Sequence, residues 1–446
     1  MMEFEELSQN IIKTAIQKGA DQAEVYIESE RETQVGTRLS KVESIKESIS
    51  RGIGIRVFKD KKMGFAFSSD LEPSGLKQLA ATAVELARYA SEDDYNGLPE
   101  PEKSESINLD LYDPHLENVD ISWKIDACKR MEDKFFAYDK RIVNSEGAYY
   151  FDGDATVYIA NSLGLSKSYR GSHFYLYAVP IAREDGKLQT GYWYSSKRHF
   201  AELESPEKVA ETAAARVVRM LGASVPKTAK VPVIFDPLTA SALIGNILAA
   251  IDGDAVYKNS TFLVDKLGHQ IASEIVNIRD DALMPRGLGS APFDGEGLPA
   301  SDKAIIENGK LVSYLYDTYT ARKAKARSTA SAHRGYSSTP EIGGYNFYLL
   351  AGKNTPGEIV GSVKDGFYVT NLMGFGSDIV TGDFSQGASG LWIENGKLTK
   401  PVEGLTIASN MPDILHKIEM IGNDLTFMGG VSSPTIKISQ MAVAGA

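Results

Sequence analysis

The sequence predicts an α+β protein with a mixed N-terminal α/β domain over residues 1–222 and a largely antiparallel, β-rich C-terminal domain over 223–446. Three observations predict it. Polar and apolar residues alternate over long stretches, above all between Ile142 and Pro180. Helical segments are few and do not follow each strand in turn, as they would in a doubly wound sheet. Beyond Gly222 to Lys230, a Gly, Pro and Lys stretch that reads as a boundary, the chain turns glycine-rich and strand-like.

The first segment is helical, because Leu7, Ile11, Ile12, Ala15 and Ile16 recur near the 3.6-residue period, and Gly19 stops it. Ala23, Val25 and Ile27 then alternate as a strand. Glu32 to Arg38 and Val42 to Ile49 read as polar strands, and Gly52 to Phe58 with Met63 to Ser68 as a hairpin around Lys59 to Lys62. Pro73 starts a helix whose stripe is Leu76, Leu79, Ala80, Ala83, Leu86 and Ala87. Residues 91–120, rich in Asp, Glu and Pro, read as an exposed excursion. Asp120 to Asp139 is helical, and Asn161 to Gly164 turns between two strands. Ser205 caps a helix that Pro206 begins, with Val209, Ala213, Val217 and Met220 near one face.

In the second half, Val231 to Phe235 is a strand ended by Asp236-Pro237, and Leu238 to Ile251 is a very apolar helix. Asn308-Gly309 and Asn395-Gly396 sit in two similar pieces and favour the left-handed backbone of hairpin turns. Thr355-Pro-Gly-Glu358 has the pattern of a capping box. Met411 to Met420 has helical spacing, and Ile436 to Met441 suits a last strand.

Composition excludes several classes of function. The 48 basic and 59 acidic residues leave a formal charge of −11, which disfavours broad nucleic-acid binding; only short basic patches such as Arg322 to Arg327 occur. The single cysteine, Cys128, forbids an intramolecular disulfide and a Cys-rich zinc site, and reads as a small buried hydrophobe. No apolar run reaches the ~18 residues of a membrane span, and the acidic start lacks a signal core, so a cytoplasmic, non-membrane protein is expected.

The motifs for chemistry are sparse. The six histidines are scattered, with no HExxH or HExxxH. There is no Walker loop and no GxSxG elbow, and Gly52-Ile-Gly54 is too short for a phosphate cradle. Arg286 to Ser290 and Phe293 to Gly297 read either as a flexible loop or as a mobile cover over substrate. The helix after Pro237 is well placed to carry a site, yet Gly245 and Ala250 have nothing to coordinate with and Asn246 is no general base.

Together, Gly52 to Phe58, Leu350 to Pro356, Val380 to Gly390, Trp392 to Leu398 and Ile421 to Leu425 make the chain resemble the TldD/PmbA family, sometimes labelled modulators of DNA gyrase, and within it the PmbA (TldE) branch. The resemblance covers nearly the whole chain and implies the PmbA/TldD-like fold. In the TldD branch, similar to a zinc metallopeptidase, HExxxH lies on the helix after the Pro turn and a Cys ligand lies near the C-terminus. Matched on Pro237, those positions fall on Gly245, Asn246 and Ala250, and the Cys region on Gly429 to Ser433. The ligands and base of the catalytic branch are therefore missing, and no metal or other cofactor is expected.

The resemblance thus implies a non-catalytic subunit, inactive alone, that pairs with a TldD-like catalytic subunit. The complex would act on small or unfolded peptides, and self-association into a homodimer is expected in isolation. Asn346, on an expected strand edge over Gly343 to Leu350, and Ser377 and Asp378, in the glycine loop Gly374 to Ile379, are the candidate peptide-groove residues. Two other readings stay open. One is a peptidase using groups such as Asp378, Asp383 and His333 or a carboxylate-held metal. The other is modulation of DNA gyrase through protein contact.

Overall fold

The computed structural model describes residues 2–102, 107–374 and 376–445. Residues 103–106 of the acidic excursion and Phe375 of the glycine loop therefore lie outside the described residues. The first half runs α1 (Met2–Gln17), β1 (Gln22–Arg38), β2 (Lys41–Lys59), β3 (Lys62–Ser68), α2 (Pro73–Tyr89), α3 (Ile121–Tyr138), β4 (Ile142–Asn161), β5 (Ser166–Glu184), β6 (Lys187–Thr190), β7 (Trp193–Lys197) and α4 (Pro206–Val218). Its strands form one antiparallel sheet in the order β3-β2-β1-β4-β5-β6, with β7 also paired to β5.

β1 and β2 merge what the sequence reads as separate short strands. Nothing between Glu28 and Glu32 breaks the chain, so β1 runs through 17 residues and turns back only at Leu39 and Ser40, both at positive φ. The next turn, Asp60-Lys61, also has positive φ at both residues, as a tight hairpin requires. Ala23, Val25, Ile27 and Val35 share a parity along β1 and hence a face. α1 and α2 cover one end of that face, and α3 and α4 cover the other. In α2, Val84 is buried and Leu86 is half-exposed, which shifts the predicted stripe by part of a turn. Cys128 packs in the second cluster, and burial, with the charge of Glu132, pushes its thiol up to about 12. It is an inert core residue.

The second half runs β8 (Ala229–Phe235), α5 (Pro237–Ala250), α6 (Gly253–Tyr257), β9 (Ile278–Asp281), β10 (Asp302–Glu307), β11 (Lys310–Leu311), α7 (Thr318–Ala324), β12 (Ala332–His333), β13 (Glu341–Ile342), β14 (Phe347–Leu349), α8 (Pro356–Gly361), β15 (Asp365–Met373), β16 (Asp383–Glu394), β17 (Lys397–Asn410), α9 (Met411–His416), β18 (Ile418–Ile421), β19 (Val431–Ser432) and β20 (Ile436–Ala444). One sheet has the order β17-β16-β15-β8-β20-β18, and β17 also pairs with β20, so five strands close into a ring. A second sheet has the order β11-β10-β9-β14-β19. α5 packs between the two, which explains its apolar composition. Among the described residues β8–β15 and β14–β19 pair in parallel, and the other named strands of the half pair antiparallel.

Both Asn-Gly turns form with positive φ at each residue, and Thr355 and Glu358 complete the capping box of α8. The predicted helix over Met411 to Met420 is shorter. α9 ends at His416 because Ile418 and Ile421 pair with Ile438 and Ile436 of β20. Among the described residues no helix is long and apolar enough to cross a membrane.

The two halves meet on the free face of the long sheet. Tyr26, Val157 and Ile159 pack there against Phe293, with Tyr336 at the side. Gly52 and Gly54 exist for this contact: a Cβ on Gly52 would lie 2.2 Å from the Tyr336 ring, and one on Gly54 2.2 Å from the Tyr336 carbonyl oxygen. Beside it four charges are sealed from solvent. Arg56 bridges Glu24 at 3.1 Å and Glu296 at 3.0 Å, and Arg334 reaches Glu24 at 2.5 Å. The Phe293 to Gly297 loop is thus neither flexible nor a cover. Phe293, Asp294 and Glu296 are all buried.

Removing one member of such a cluster leaves the others charged without water. Glu24→Ala is expected to lower unfolding stability by about 3–5 kcal/mol in chemical denaturation; a loss under ~1 kcal/mol would show that the cluster does not hold the halves together.

Candidate functional site

α5 begins where Asp236 caps it, accepting from the Thr239 N–H at 3.0 Å, and Pro237 takes the first helical position. Its buried side is Ala240, Leu243, Ile244, Ile247 and Ala250. Its open side includes Gly245 and Asn246. A Cβ on Gly245 would meet nothing within 4 Å. The Asn246 amide donates to the Ala242 and Leu243 carbonyls, and its Oδ1 accepts from the Ser377 hydroxyl. Ala250 is fully buried, and its carbonyl accepts from Thr261 at 2.7 Å. Five residues of a regular helix turn through about 500°, so positions 245 and 250 face about 140° apart. That is why one is open and the other lies in the core.

The segment expected to match the Cys region lies alongside, since β19 packs on α5. It supplies hydroxyls: Ser432 donates toward Gly429, and Ser433 to Pro434. Zinc requires imidazole, thiolate or carboxylate donors. Gly245, Asn246, Ala250 and these serines do not fit it. Among the described residues no three His, Cys, Asp or Glu side chains gather where they could hold a metal ion.

The structure brings Ser377 to α5 but separates the other groove candidates from it. Asp378 is exposed and closes its own turn, accepting from the Val380 N–H at 2.7 Å. Asn346 is buried at 2% exposure; it accepts from the Gly289 N–H and donates to the Asp281 carbonyl and the Ser290 hydroxyl. Its amide therefore fastens the loop before Phe293. The expected strand edge over Gly343 to Leu350 is corrected: β14 is internal, between β9 and β19, and has no free backbone to offer a peptide. His333 lines a separate cavity of about 170 Å³ with Tyr26 and Arg334. Burial, helped by the charge of Lys303, lowers it to about 4, so it is neutral at pH 7.

A cleft of about 750 Å³ lies between the two halves, beyond the C-terminal end of α5. Phe58, Met63 and Ile342 give it apolar wall, and Asp252, Asp254 and Asp317 give it carboxylates. Burial raises both Asp252 and Asp317 above the ordinary carboxylate range, with the charge of Glu296 adding to Asp317. Residues 90–97, at the start of the acidic excursion, wall the other side and are held in place. Arg322 donates to the carbonyls of Tyr95, Gly97 and Leu98, and Asp93 accepts from the Tyr319 hydroxyl at 2.7 Å. Arg322 thereby leaves the supposed basic patch. Sequence reasoning missed this cleft; the two aspartates that follow α5 around Gly253 were its local signal. Such a cleft can hold a short chain segment through apolar contacts and bonds from its N–H groups to carboxylates.

Three family models match the chain: PmbA/TldA metallopeptidase domain 1 over residues 23–87, the central domain over 114–221 and the C-terminal domain over 228–445. The first two share the long sheet described above. Metalloprotease PmbA of Escherichia coli O157:H7 is 33% identical over 429 residues, 96% of this chain and 93% of that protein. A proposed modulator of DNA gyrase from Bacteroides thetaiotaomicron superposes with a TM-score of 0.93 at 25% identity, over 100% of both chains. TldE from Thermococcus kodakarensis does so with a TM-score of 0.89 at 25% identity, over 98% of this chain and 100% of that one.

The open and buried ends of α5 should respond oppositely to substitution. Gly245→Ala is expected to raise stability by about 1 kcal/mol, because it adds helix propensity without a clash. Ala250→His should lower it by about 1–3 kcal/mol through overpacking. Thermal melts of the two variants check both signs.

Proposed function

Since the chain belongs to the PmbA/TldD metallopeptidase family, we propose that it is the non-catalytic, PmbA/TldE-like subunit of a TldD–TldE-type peptidase complex that processes small or unfolded peptides. Membership supports a role in peptide processing. One observation carries the finer reading. The helix positions matched to the zinc ligands and the base hold Gly245, Asn246 and Ala250, and none of these can bind zinc or take a proton from water. Asn246 instead spends its amide on its own helix and its carbonyl oxygen on Ser377.

This subunit contributes wall and shape to the peptide chamber. The interdomain cleft has the size for a short peptide segment, and its carboxylates suit peptide N–H and ammonium groups. Ser377, at the open side of α5, and Asp378, on the loop beyond it, remain the groove residues of this proposal. A TldD-type catalytic subunit is the partner, with a homodimer when that partner is missing.

The test is hydrolysis of an unstructured fluorogenic peptide by the purified chain alone, by a TldD-type partner alone and by the mixture. The proposal expects no turnover from the chain alone and the highest rate from the mixture. Turnover by the chain alone, abolished by a chelator, would sink it.

A further inference from the structure

A further pocket, of about 490 Å³, lies between α4, β6 and the strand ring, near the N-terminal end of α5. Two arginines line it. Arg216 is committed: it donates to Asp236 at 2.9 Å and to the Thr370 carbonyl at 2.7 Å, and its guanidinium lies over Trp193. Arg219, one helical turn on, makes no side-chain hydrogen bond or ion pair among the described residues, and its Nε is buried without a partner. Burial, then the charge of Arg216, disfavours its cation. The charge of Asp236 offsets part of this without a direct ion pair, so an arriving oxyanion would gain charge-assisted bonds to a guanidinium that no side chain engages.

The carboxylate lining the pocket, Glu403, accepts from the Gln189 amide at 2.8 Å through one oxygen and forms no ion pair with either arginine. Thr370, Asn371 and Ser389 add polar groups near the arginines. The mouth is different. Tyr192, Val225 and Met373 line it and are 36%, 49% and 48% exposed. An inorganic anion has no use for that apolar rim, nor for a pocket of this volume.

We propose that this pocket binds the C-terminal carboxylate of a peptide, with the guanidinium of Arg219 on the carboxylate and an apolar last side chain against Tyr192, Val225 and Met373. The planar guanidinium matches a carboxylate with two parallel bonds. Met373 ends β15 four residues before Ser377, whose hydroxyl touches α5. This site stands on its own geometry and does not depend on the assignment of a catalytic partner.

Calorimetric titration of the full chain with N-acetyl-leucine, N-acetyl-leucinamide, acetate and inorganic phosphate tests it. N-acetyl-leucine is expected to bind saturably, and the amide at least about tenfold more weakly. Arg219→Gln should cost N-acetyl-leucine a similar factor, and Arg219→Lys less. Val225→Ser, at an exposed position, should weaken N-acetyl-leucine without affecting acetate, and it decides the matter even if Arg219→Gln unfolds. Equal binding of acid and amide, indifference to Arg219→Gln in a folded variant, or no saturable binding at about 10 mM would each overturn the proposal. Arg219-dependent binding of phosphate without N-acetyl-leucine would also overturn it, in favour of a phosphate site.

Discussion

The arrangement depends on four charges that water cannot reach. Glu24 and Arg56 come from the long sheet, and Glu296 and Arg334 from loops of the second half. Glu24 and Arg56 also bridge each other, but Glu296 and Arg334 find their ion partners only across the contact, so the second half presents charges whose desolvation the first half compensates. From Glu296 the constraint passes outward. Its second oxygen accepts from the Thr318 N–H at 2.8 Å, which fixes the start of α7. α7 then sets Tyr319 against Asp93 and Arg322 against the carbonyls of residues 95–98, and this builds the wall of the cleft. The cleft's shape is thus a consequence of the buried ion cluster.

Much of the fold was legible because its signals are local. The periodicity of α2, the Ser205 cap with Pro206, both Asn-Gly turns and the Thr355 capping box each depend on a few neighbouring residues. What failed depended on distant partners. Leu86 lies outside the α2 stripe because Val84 meets the sheet instead. Ile418 reads as helical by spacing but is claimed by β20. The strand near Asn346 looks like an edge until β19 arrives from some eighty residues on to cover it. Gly52 and Gly54 resemble a fragment of a phosphate loop, yet their reason is Tyr336, in the other half of the chain.

The candidate site divides in the same way. That Gly245, Asn246 and Ala250 cannot hold zinc follows from residue type, and the structure adds that Ala250 points into the core while Gly245 borders open space. The contact of Ser377 with Asn246 was not legible, since it joins residues 131 positions apart. The interdomain cleft was invisible for the same reason. Its walls come from the acidic excursion, α6, α7 and the turn before β13, and only the fold assembles them. On the proposed function, α5 stands where the catalytic branch would carry its zinc helix, with Gly245, Asn246 and Ala250 at the matched positions. A subunit that shapes a chamber for another subunit's chemistry is the reading that joins these facts.

The most direct test of that account is a zinc titration of the isolated, metal-stripped chain by calorimetry. The account predicts no saturable one-to-one binding in the submicromolar range, because α5 and the 429–433 segment offer neither imidazole nor thiolate. Tight stoichiometric binding would contradict it, and would mean that this chain builds a metal centre from residues other than those matched to the family motif.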